Sequence, residues 1–576
     1  MSMNPIKATD YIAERLYAKG VKQVFELSGG MITHMLDSLN VQNRIQVVSV
    51  HHEQTAAFAA DAYGRMTGVP GVAMATSGPG ATNLLTGIGS CYFDSSPAVF
   101  ITGQVNRDEQ KGQRAIRQLG FQETDIVSMA TPITKLALRV ETPEMLPEAL
   151  ECAFRVATEG RPGPVLLDIP MDVQRAKVTP LPPSAPETAK DSSAIDFGPL
   201  LQALAEARHP MILAGGGVAS GRAVGLFRQA VDKLGIPVVH SLMGSDLLPY
   251  DHPLRVGMIG TYGNRWANLA LMQSDVLLVL GSRLDVRQTG SRTDLFEQGR
   301  RIFHVDCEAG EMNNRVKNCT AIVSELGAFF VQFLPRLGDR PAGANESWLN
   351  GIAELRAAWP DVGELPGITG MNPNVLMHQL SRHAREAAAF VVDVGQHQMW
   401  AAQSLELGAN QRFLTSGGMG SMGFALPASV GTALAAEGRP VVVIAGDGGF
   451  QCNIQELQTV VRLNLPLKIL VINNLCHGMV RQFQESYFDS RYQSTMWGYS
   501  APDFEKVGAA YGLESRTIEA PEEAEGALDW LWRQPERPQL LQVMVNPFVN
   551  SYPKVAFGKA VSEMEPFSQP IEMEST

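Results

Sequence analysis

Short runs of apolar and often β-branched residues recur along the chain, and most of them end in a segment rich in glycine or polar residues. Runs without alternation of apolar and polar positions are typical of strands buried on both faces. Between several of them, apolar residues recur at helical spacing, as in Lys7 to Lys19 and Thr55 to Met66. This order predicts doubly wound parallel sheets and an α/β fold. The predicted strands are Gln23 to Leu27, Ile45 to Val50, Val72 to Thr76, Ala98 to Thr102, Val165 to Ile169, Met211 to Ala214, Pro237 to His240, Ser274 to Gly281, Arg301 to Asp306, Phe390 to Val394, Val441 to Ala445 and Leu467 to Ile472.

Two polar segments divide this pattern into three series of strands. Thr179 to Pro199 is rich in proline and serine, and Asp339 to Ser347 is polar throughout, so both are predicted to be linkers. A chain of 576 residues also needs more than one hydrophobic core. The predicted domains are 1–178, 195–338 and 370–550, with a C-terminal tail at 551–576.

Composition narrows the class of protein. The formal net charge of −12 and the interspersed charges argue against a nucleic-acid surface, which needs clustered Lys and Arg. The six cysteines show no metal-ligand spacing, which favours reduced thiols in a cytoplasmic protein. We find no apolar run long enough to span a bilayer, so neither export nor membrane insertion is expected.

The most informative stretch begins with Gly446-Asp447-Gly448-Gly449, at the carboxyl end of a predicted strand. A helix is predicted from Asn453 to Leu463, and the next strand ends in Asn473-Asn474. Ligands of α/β sheets bind at this edge, where glycines allow close approach and a carboxylate and an amide oxygen suit Mg²⁺. A Gly-Asp-Gly tripeptide alone is more often a simple turn. The whole stretch, however, predicts a site for a diphosphate bridged by a divalent cation.

Two other segments have both a purely structural and a functional interpretation. Glu53 lies at the predicted start of a helix, where it could simply complement the helix dipole. Gly215-Gly216-Gly217 follows a strand, which by itself is a weak nucleotide signal, and Asp306 at a strand end is the kind of group that binds a ribose hydroxyl.

The stretch from Gly446 to Asn474 resembles the thiamine diphosphate (thiamine pyrophosphate) motif of thiamine-dependent decarboxylases and carboligases. Further motifs make the resemblance to the acetolactate (acetohydroxyacid) synthases specific, and it covers nearly the whole chain. They are His52-Glu53-Gln54, the run Thr76 to Asn83, Gly103-Gln104-Val105, Phe121-Gln122-Glu123, Gly257 to Gly260, Gly281 to Arg287, His304-Val305-Asp306, Gly395 to Trp400, Ser416 to Gly423 and Gly478 to Gln482.

The resemblance implies a thiamine diphosphate site with Mg²⁺. Glu53 would bind N1′ of the aminopyrimidine and promote loss of the thiazolium C2 proton, chemistry that suits a carboxyl group in a dry pocket. The implied Mg²⁺ ligands are Asp447, Asn474 and a backbone carbonyl near Cys476. Met422 would wedge the cofactor into a bent conformation. The other implied cofactor-binding residues are Gly30, Asn83, Gly395, Gln396, His397, Gly420, Gly446, Gly448, Gly449, Gly478 and Met479.

The same resemblance implies that FAD binds in the central domain. The residues that match the FAD-contacting segments, or are implied with them, are Arg161, Gly215, Gly216, Gly217, Gly281, Arg283, Asp285 and Asp306.

The implied function is decarboxylation of pyruvate and transfer of its two-carbon unit to a carbonyl acceptor. Phe121, Gln122, Arg287 and Phe483 would line the substrate channel, with Arg287 meeting an acceptor carboxylate or, equally, serving as a structural or FAD contact. Phe483 stands where the synthases have Trp, Met171 where many have Lys, and Thr261 where many have Met. We therefore expect either 2-acetolactate from a second pyruvate or ligation to a ketone, such as a nucleotide-linked ketosugar.

Three other functions stay open on the sequence. They are a pyruvate oxidase-type flavoenzyme, a simple 2-keto acid decarboxylase and a non-catalytic nucleotide-binding protein, although the intact set of Glu53, Asp447 and Asn474 argues against the last. Because Glu53 and Asp447 fall in different predicted domains, the cofactor should lie at a domain interface. In the family that interface joins two subunits, so we expect a homodimer or homotetramer with shared active sites.

Overall fold

The computed structural model describes residues 4–181, 194–338 and 346–571, which form three six-stranded sheets. All neighbouring strands within each of these sheets are parallel. The predicted α/β fold with three parallel sheets is therefore confirmed.

The first sheet has the strand order β3-β2-β4-β5-β7-β6, and β1 pairs antiparallel with β8 beside it. Its strands are β1 Ile6–Lys7, β2 Gln23–Leu27, β3 Gln46–Ser49, β4 Gly71–Ala75, β5 Ala98–Gln104, β6 Leu136–Arg139, β7 Pro164–Pro170 and β8 Lys177–Val178. The helices around it are α1 Ala8–Ala18, α2 Thr33–Gln42, α3 Glu53–Thr67, α4 Pro79–Asn83, α5 Leu85–Asp94, α6 Ile126–Ala130, α7 Leu146–Thr158 and α8 Met171–Arg175.

The central sheet has the order β11-β10-β9-β12-β13-β14, which counted within the sheet is the dinucleotide-binding order 3-2-1-4-5-6. Its strands are β9 Pro210–Ala214, β10 Val238–His240, β11 Arg255–Met258, β12 Val276–Leu280, β13 Arg301–Asp306 and β14 Thr320–Val323. Its helices are α9 Gly198–Glu206, α10 Gly217–Ser220, α11 Val224–Leu234, α12 Arg265–Gln273, α13 Val286–Thr289, α14 Thr293–Glu297 and α15 Leu326–Phe333, and α16 Glu346–Ala358 follows.

The third sheet has the order β16-β15-β17-β18-β20-β19. Its strands are β15 Ala389–Val392, β16 Arg412–Leu414, β17 Val441–Gly446, β18 Leu467–Asn473, β19 Glu514–Ile518 and β20 Gln539–Met544. Its helices are α17 Pro373–His383, α18 Gln396–Ser404, α19 Ala425–Ala435, α20 Asp447–Cys452, α21 Leu457–Arg462, α22 Gly478–Tyr487, α23 Phe504–Ala510 and α24 Ala524–Trp532. In the tail, β21 Lys554–Val555 and β22 Met564–Glu565 form a small antiparallel pair.

One hydrophobic cluster runs from the first sheet into the third, whereas the central sheet is covered by two clusters made mainly of its own residues. Helix α3 packs against α19 so closely that a Cβ at Gly431 would lie 2.0 Å from the carbonyl oxygen of Ala59. Only glycine fits such a backbone contact. The first and third sheets are thus packed together within the chain. The sheet edges that carry the predicted site residues therefore have a fixed position relative to each other.

Three sequence predictions on local structure need correction or qualification. The predicted linker ends differ from the structure, because α9 already begins at Gly198 and α16 at Glu346; the rest of these linkers falls largely outside the described residues. The helix predicted from Asn453 to Leu463 is present as a 3-10 turn, Ile454–Glu456, followed directly by α21, but the prediction missed α20, which begins at Asp447 and ends at Cys452. The glycine-rich motif is therefore itself a helix N-terminus.

Candidate active site

Asp447 is the first residue of α20 and follows β17 directly. The residue is 3% exposed and its Oδ2 atom is buried; the Tyr499 hydroxyl lies near enough to the carboxyl group to lower its pKa but makes no hydrogen bond of good geometry with Oδ2. Burial raises the pKa of this carboxyl group to about 6. A buried carboxylate oxygen without a protein partner is costly unless something else binds it, and a cation is the natural candidate.

Asn474 and Cys476 lie beside Asp447 where β18 ends. The backbone N–H of Cys476 is near enough to Asp447 to lower its pKa, and it also donates to Asn474 Oδ1 at 3.4 Å. Asn474 Nδ2 donates to Gln396 Oε1 at 3.1 Å, and a Cβ at Gly478 would lie 1.9 Å from that same oxygen. The three predicted metal-binding residues are therefore neighbours, and glycine is needed at 478 to leave room.

His397 borders the same cluster from α18, whose first residue, Gln396, follows Gly395. A Cβ at Gly446 would lie 2.9 Å from His397 Cε1, so the two strand ends are in contact. His397 is 5% exposed, its Nε2 has no hydrogen-bond partner, and burial lowers its pKa to about 3. Gln396 is also predicted to bind the cofactor, but its side chain already forms hydrogen bonds with Asn474, Gln482 and the Val549 carbonyl. Its backbone N–H at the helix start remains suited to an anion.

Met422 and Gly420 belong to a loop that two buried aspartates hold by its backbone. Asp393 accepts hydrogen bonds from the N–H groups of Gly423 and Ala425 at 3.0 Å each. Met422 itself is 41% exposed, and Gly420 has a φ of 70°. Sequence reasoning missed Asp393, although an aspartate directly after a buried strand is the usual signal for a residue at the ligand edge.

The second aspartate comes from the first domain. Asp94 accepts from the N–H groups of Gly417 at 3.1 Å and Gly418 at 2.6 Å, and it forms an ion pair with Arg65 at 3.0 Å. Arg65 also donates to the Thr415 carbonyl at 2.8 Å. This buried network, which the sequence did not predict, fixes the Met422 loop against the first domain.

Glu53 lies at the N-terminus of α3 and is 6% exposed. Its Oε2 accepts from Asn83 Nδ2 at 2.9 Å, and its Oε1 would lie 3.2 Å from a Cβ at Gly80. The structure thus brings together Glu53 and Asn83, two of the predicted residues. Gly30 is less specific, since it is exposed and a Cβ there would meet no atom within 4 Å.

Phe121 and Gln122 follow an exposed loop near Glu53. Gln122 adopts a φ of 65°, and its Cβ would be 3.0 Å from a Cβ at Gly78, in the turn before α4. Phe121 is 79% exposed in the single chain. An aromatic side chain this exposed next to a candidate site is typical of a surface that a partner covers.

Within one chain, no hydrogen bond or ion pair among the described residues joins Glu53 to the cluster around Asp447. The nearest link is one residue away, where Asn453 Nδ2 donates to Gln54 Oε1 at 2.9 Å. The Glu53 group and the Asp447 cluster, one half-site on each domain, thus share no direct polar contact among the described residues.

A cavity of about 770 Å³ opens beside the carboxyl ends of β9, β12 and β13. Seven of the predicted FAD residues line it: Arg161, Gly216, Gly217, Gly281, Arg283, Asp285 and Asp306. Gly215 lies just behind, where a Cβ would be 2.3 Å from the Gly281 carbonyl oxygen. Ligands of open α/β sheets bind at the point where the strand order reverses, which here lies between β9 and β12.

The first domain closes one side of this cavity. Arg161 forms ion pairs with Glu308 at 2.9 Å and Glu311 at 2.6 Å and donates to Ser95 Oγ at 2.8 Å. Sequence reasoning also missed the cavity residues Arg222, Ser241 and Met243, which come from turns without a distinctive motif.

Arg287 lines the same cavity, is exposed, and forms no ion pair with any described carboxylate. Its carbonyl oxygen accepts from Thr261 N at 2.6 Å, and Thr261 in turn accepts from Val555 N of the tail. Phe483 on α22 is 39% exposed and packs against Tyr487, with the ring centroids 4.8 Å apart and the ring planes inclined at 52°. Tyr487 also contacts Phe557 and Lys554 of the tail. The tail therefore borders the region predicted to be the acceptor channel. Of the remaining predicted residues, Met171 is the first residue of α8, and Met479 lies half-buried on α22.

Across the described ranges, no helix is long and apolar enough to cross a membrane. In the same ranges, no group of three or more His, Cys, Asp or Glu side chains has the arrangement of a metal site. The proposed site of one carboxylate, one amide and a backbone carbonyl contains only one side chain of these four types.

Three family models match the chain in the order of its three sheets. They are the thiamine pyrophosphate enzyme N-terminal TPP binding domain over residues 6–129, the central domain over 199–333 and the C-terminal TPP binding domain over 393–543. The acetolactate synthase isozyme 2 large subunit of Escherichia coli strain K12 is 37% identical over 97% of this chain and 99% of that protein. Acetolactate synthase large subunits of Pyropia yezoensis and Lactococcus lactis are 36% and 34% identical, each over 97% of this chain and at least 95% of its relative.

Proposed function

Because the chain belongs to the acetolactate synthase large-subunit family of thiamine pyrophosphate enzymes, we propose that it decarboxylates pyruvate and joins the two-carbon unit to a carbonyl acceptor. With a second pyruvate as acceptor the product is 2-acetolactate. The observation that carries this proposal is the buried, unpartnered Asp447 Oδ2 beside Asn474 and Cys476.

These residues fit a diphosphate and its cation. Asp447, Asn474 and the backbone at Cys476 would hold Mg²⁺ through oxygen atoms, as that ion prefers. The N-termini of α18 and α20 face the same strand edge, and the unpartnered Nε2 of His397 is available to a phosphate oxygen. When bound, thiamine pyrophosphate supplies the electron sink that decarboxylation of a 2-keto acid requires.

Glu53 is the residue of this chain that would exchange a proton with the cofactor. Its carboxyl group is buried, and its Oε2 is held by Asn83, which fixes its orientation. A carboxyl group in a pocket with little water is well placed to share a proton with a ring nitrogen. Met422 and the loop held by Asp393 and Asp94 would position the cofactor against Glu53.

FAD is proposed as a second cofactor, bound in the 770 Å³ cavity. The strand order 3-2-1-4-5-6, the close approach of Gly217 to Gly281 and the strand-end Asp306 support a dinucleotide there. A Cβ at Gly217 would lie 2.7 Å from the Gly281 Cα, so glycine at both positions lets the turns after β9 and β12 pack directly against each other at the edge of the cavity.

We also propose a homodimer or homotetramer with shared active sites. Glu53 and Asp447 form separate half-sites within the chain, and the apolar side chains of Phe121 and Met422 are 79% and 41% exposed next to them. A second subunit that covers both would complete the site and bury this apolar surface.

For the acceptor, Arg287 supports a 2-keto acid, because its unpaired guanidinium suits a carboxylate. Phe483 lacks the indole N–H of a Trp and leaves more space on α22, which supports tolerance of larger or less acidic acceptors. We propose that ketones, including a nucleotide-linked ketosugar, are accepted beside pyruvate.

The test is a thiochrome assay for bound thiamine on the purified protein, followed by product analysis after adding pyruvate alone. We expect bound thiamine, release of carbon dioxide and formation of 2-acetolactate. Asp447→Ala should abolish all three, whereas Asp489→Ala, at an exposed position, serves as the matched control. Acetaldehyde without a ligation product would instead identify a decarboxylase, and acetate with reduced flavin an oxidase. Either result would contradict the proposed carboligation.

A further inference from the structure

A second cavity of about 480 Å³ lies where the central domain, α16 and α17 meet. Its walls include Tyr250 and Trp266 from the central domain, Arg356 from α16, and His378 and Arg382 from α17. Its volume falls within the range of about 300–1,000 Å³ typical of small-molecule sites. None of the candidate active-site residues lines it.

The cavity has an unusual buried charge directly behind its wall. Arg255 is 7% exposed, and its Cζ lies 5.3 Å from the ring centroid of Tyr250. Its Nε is buried without a partner, and no carboxylate or carbonyl of the described chain forms a hydrogen bond or ion pair with its guanidinium. Burial and the neighbouring charge of Arg356 lower the pKa of Arg255 to about 10. An arginine with so few partners is held in place mainly by an aromatic ring.

The other two most buried arginines of the described residues each have a carboxylate counter-ion, although Arg481 Nε, like Arg255 Nε, has no hydrogen-bond partner. Arg265 binds both carboxylate oxygens of Glu364 at 2.7 Å, and Arg481 pairs with Glu485 at 2.6 Å and also reaches the Val549 carbonyl. A buried charge without a counter-ion is disfavoured, so most proteins pair it. Of these three buried arginines, only Arg255 has no carboxylate counter-ion.

The remaining charges around the cavity do not supply the missing anion. Arg356 lies over the rings of Tyr250 and Trp266, at 5.1 and 5.6 Å, and shows no ion pair within the described residues. Asp361, the acidic side chain of the cavity wall, is bound by His378 Nε2 at 2.9 Å, while His378 Nδ1 faces Glu406 at 2.8 Å. Contact with both carboxylates raises the pKa of His378, which favours a protonated ring that offsets one of their charges. Arg255, Arg356 and Arg382 thus leave the cavity with an excess of positive charge.

We propose that this cavity is a binding site for a phosphate-bearing small molecule, held by Arg356 and Arg382 in the wall and by the charge of Arg255 behind it. Guanidinium groups bind phosphate oxygens in a bidentate manner, and a phosphoryl group offers three oxygens where a carboxylate offers two. The cavity exceeds the size of a phosphate ion alone, and the rings of Tyr250 and Trp266 provide a surface for the rest of the molecule. The site is independent of the proposed catalytic function.

The first test measures binding to the holoenzyme by calorimetry, with thiamine pyrophosphate, Mg²⁺ and FAD at saturation so that the other sites are filled. The probes are inorganic phosphate and AMP, with potassium chloride at matched ionic strength as the blank. We expect both probes to bind, and Arg356→Gln to weaken them at least about tenfold because one bidentate contact is lost. Arg301→Gln, which removes an exposed arginine paired with Glu206 outside the cavity, should bind as the parent does.

The two probes distinguish the sources of the phosphate. Tighter binding of AMP than of phosphate assigns the remaining volume to a nucleoside, and equal binding assigns recognition to the phosphoryl group alone. Absence of binding by both probes, or binding that Arg356→Gln leaves unchanged, would overturn the proposal.

A second variant tests the buried charge. Arg255→Met keeps much of the apolar stem, so without added phosphate its melting temperature should equal or exceed that of the parent, because an unpaired buried charge is removed. Phosphate should raise the melting temperature of the parent but not of this variant. If Arg255→Met gains as much from phosphate as the parent, Arg255 has no part in the site. If Arg255→Met fails to fold, the binding measurements with Arg356→Gln still test the proposal. The ligation rate of Arg356→Gln without phosphate should match that of the parent.

Discussion

The first and third sheets share one strand order, 2-1-3-4-6-5 when strands are counted within each sheet, yet their ligand edges carry different chemistry. On the first, the carboxylate of Glu53 is held by Asn83. On the third, Asp447 Oδ2 is buried without a partner. A carboxyl group oriented by an amide suits proton exchange, whereas an unpartnered carboxylate oxygen suits a cation.

This comparison shows that topology fixes where a site lies and side chains fix what it does. Parallel strands in the same order bring their carboxyl ends to the same place in both domains. The central sheet strengthens the point, because its different order, 3-2-1-4-5-6, places its cavity at another switch point and lines it with glycines and arginines. Each prediction below alters one side of this comparison.

The largest effect is expected from Asp447→Ala. Removing the Asp447 carboxylate takes away the proposed cation ligand, so thiamine pyrophosphate should no longer be retained and ligation should cease. Cofactor content by thiochrome fluorescence, with activity over a Mg²⁺ series, measures this. A variant that keeps its cofactor and its Mg²⁺ dependence would show that Asp447 is not the anchor.

Glu53→Gln should separate binding from chemistry. The amide keeps the shape and a hydrogen bond to Asn83 but cannot exchange a proton, so cofactor should bind while turnover falls by about 10²-fold or more. Exchange of the thiazolium C2 proton of bound cofactor, followed by NMR, should slow in parallel. Unchanged exchange would refute the assigned role.

Mixing the two inactive variants tests whether the half-sites of one chain work with those of another. If sites are shared between subunits, a mixed dimer of Glu53→Gln and Asp447→Ala chains contains one site with both residues intact, and part of the activity should return. Subunit exchange must be demonstrated separately, for example by mass spectrometry of differently tagged chains. Exchange without recovery of activity would favour a site completed within one chain.

Much of this architecture could be predicted from the sequence, because buried parallel strands are continuous apolar runs. Of the strands in the third sheet, Val441–Gly446 and Leu467–Asn473 were predicted to within a residue at each end. The residues placed near Asp447 and Glu53 follow from the same rule, since strand ends converge on one edge. The domain limits remain a prediction.

What the sequence could not supply depends on contacts between distant segments. The network of Arg65, Asp94 and Thr415 includes a hydrogen bond between residues 350 positions apart and has no local motif. The omission of α20 has a physical cause as well: a glycine-rich turn followed by a helix usually starts the helix after the glycines, but here Asp447, directly after the strand, is already the first helical residue. The charged cavity beside Tyr250 likewise depends on three segments that only the fold brings together.

The smallest expected effect concerns the acceptor and the wall formed by α22 and the tail. Phe483 packs against Tyr487, which in turn contacts Phe557, so position 483 shapes an aromatic surface beside the proposed acceptor site. We expect the parent to ligate pyruvate to cyclohexanone as well as to 2-ketobutyrate. Phe483→Trp should shift the ratio of the two rates toward 2-ketobutyrate by up to about tenfold, because a larger side chain costs the bulkier acceptor about 1–3 kcal/mol at most. Val331→Ile, an enlarged side chain at an exposed position on α15 of the central domain, is the control. A parent that strongly prefers 2-ketobutyrate and forms no ketone adduct would show that Phe483 does not widen the site, and that the chain selects its acceptor through Arg287 and the carboxylate alone.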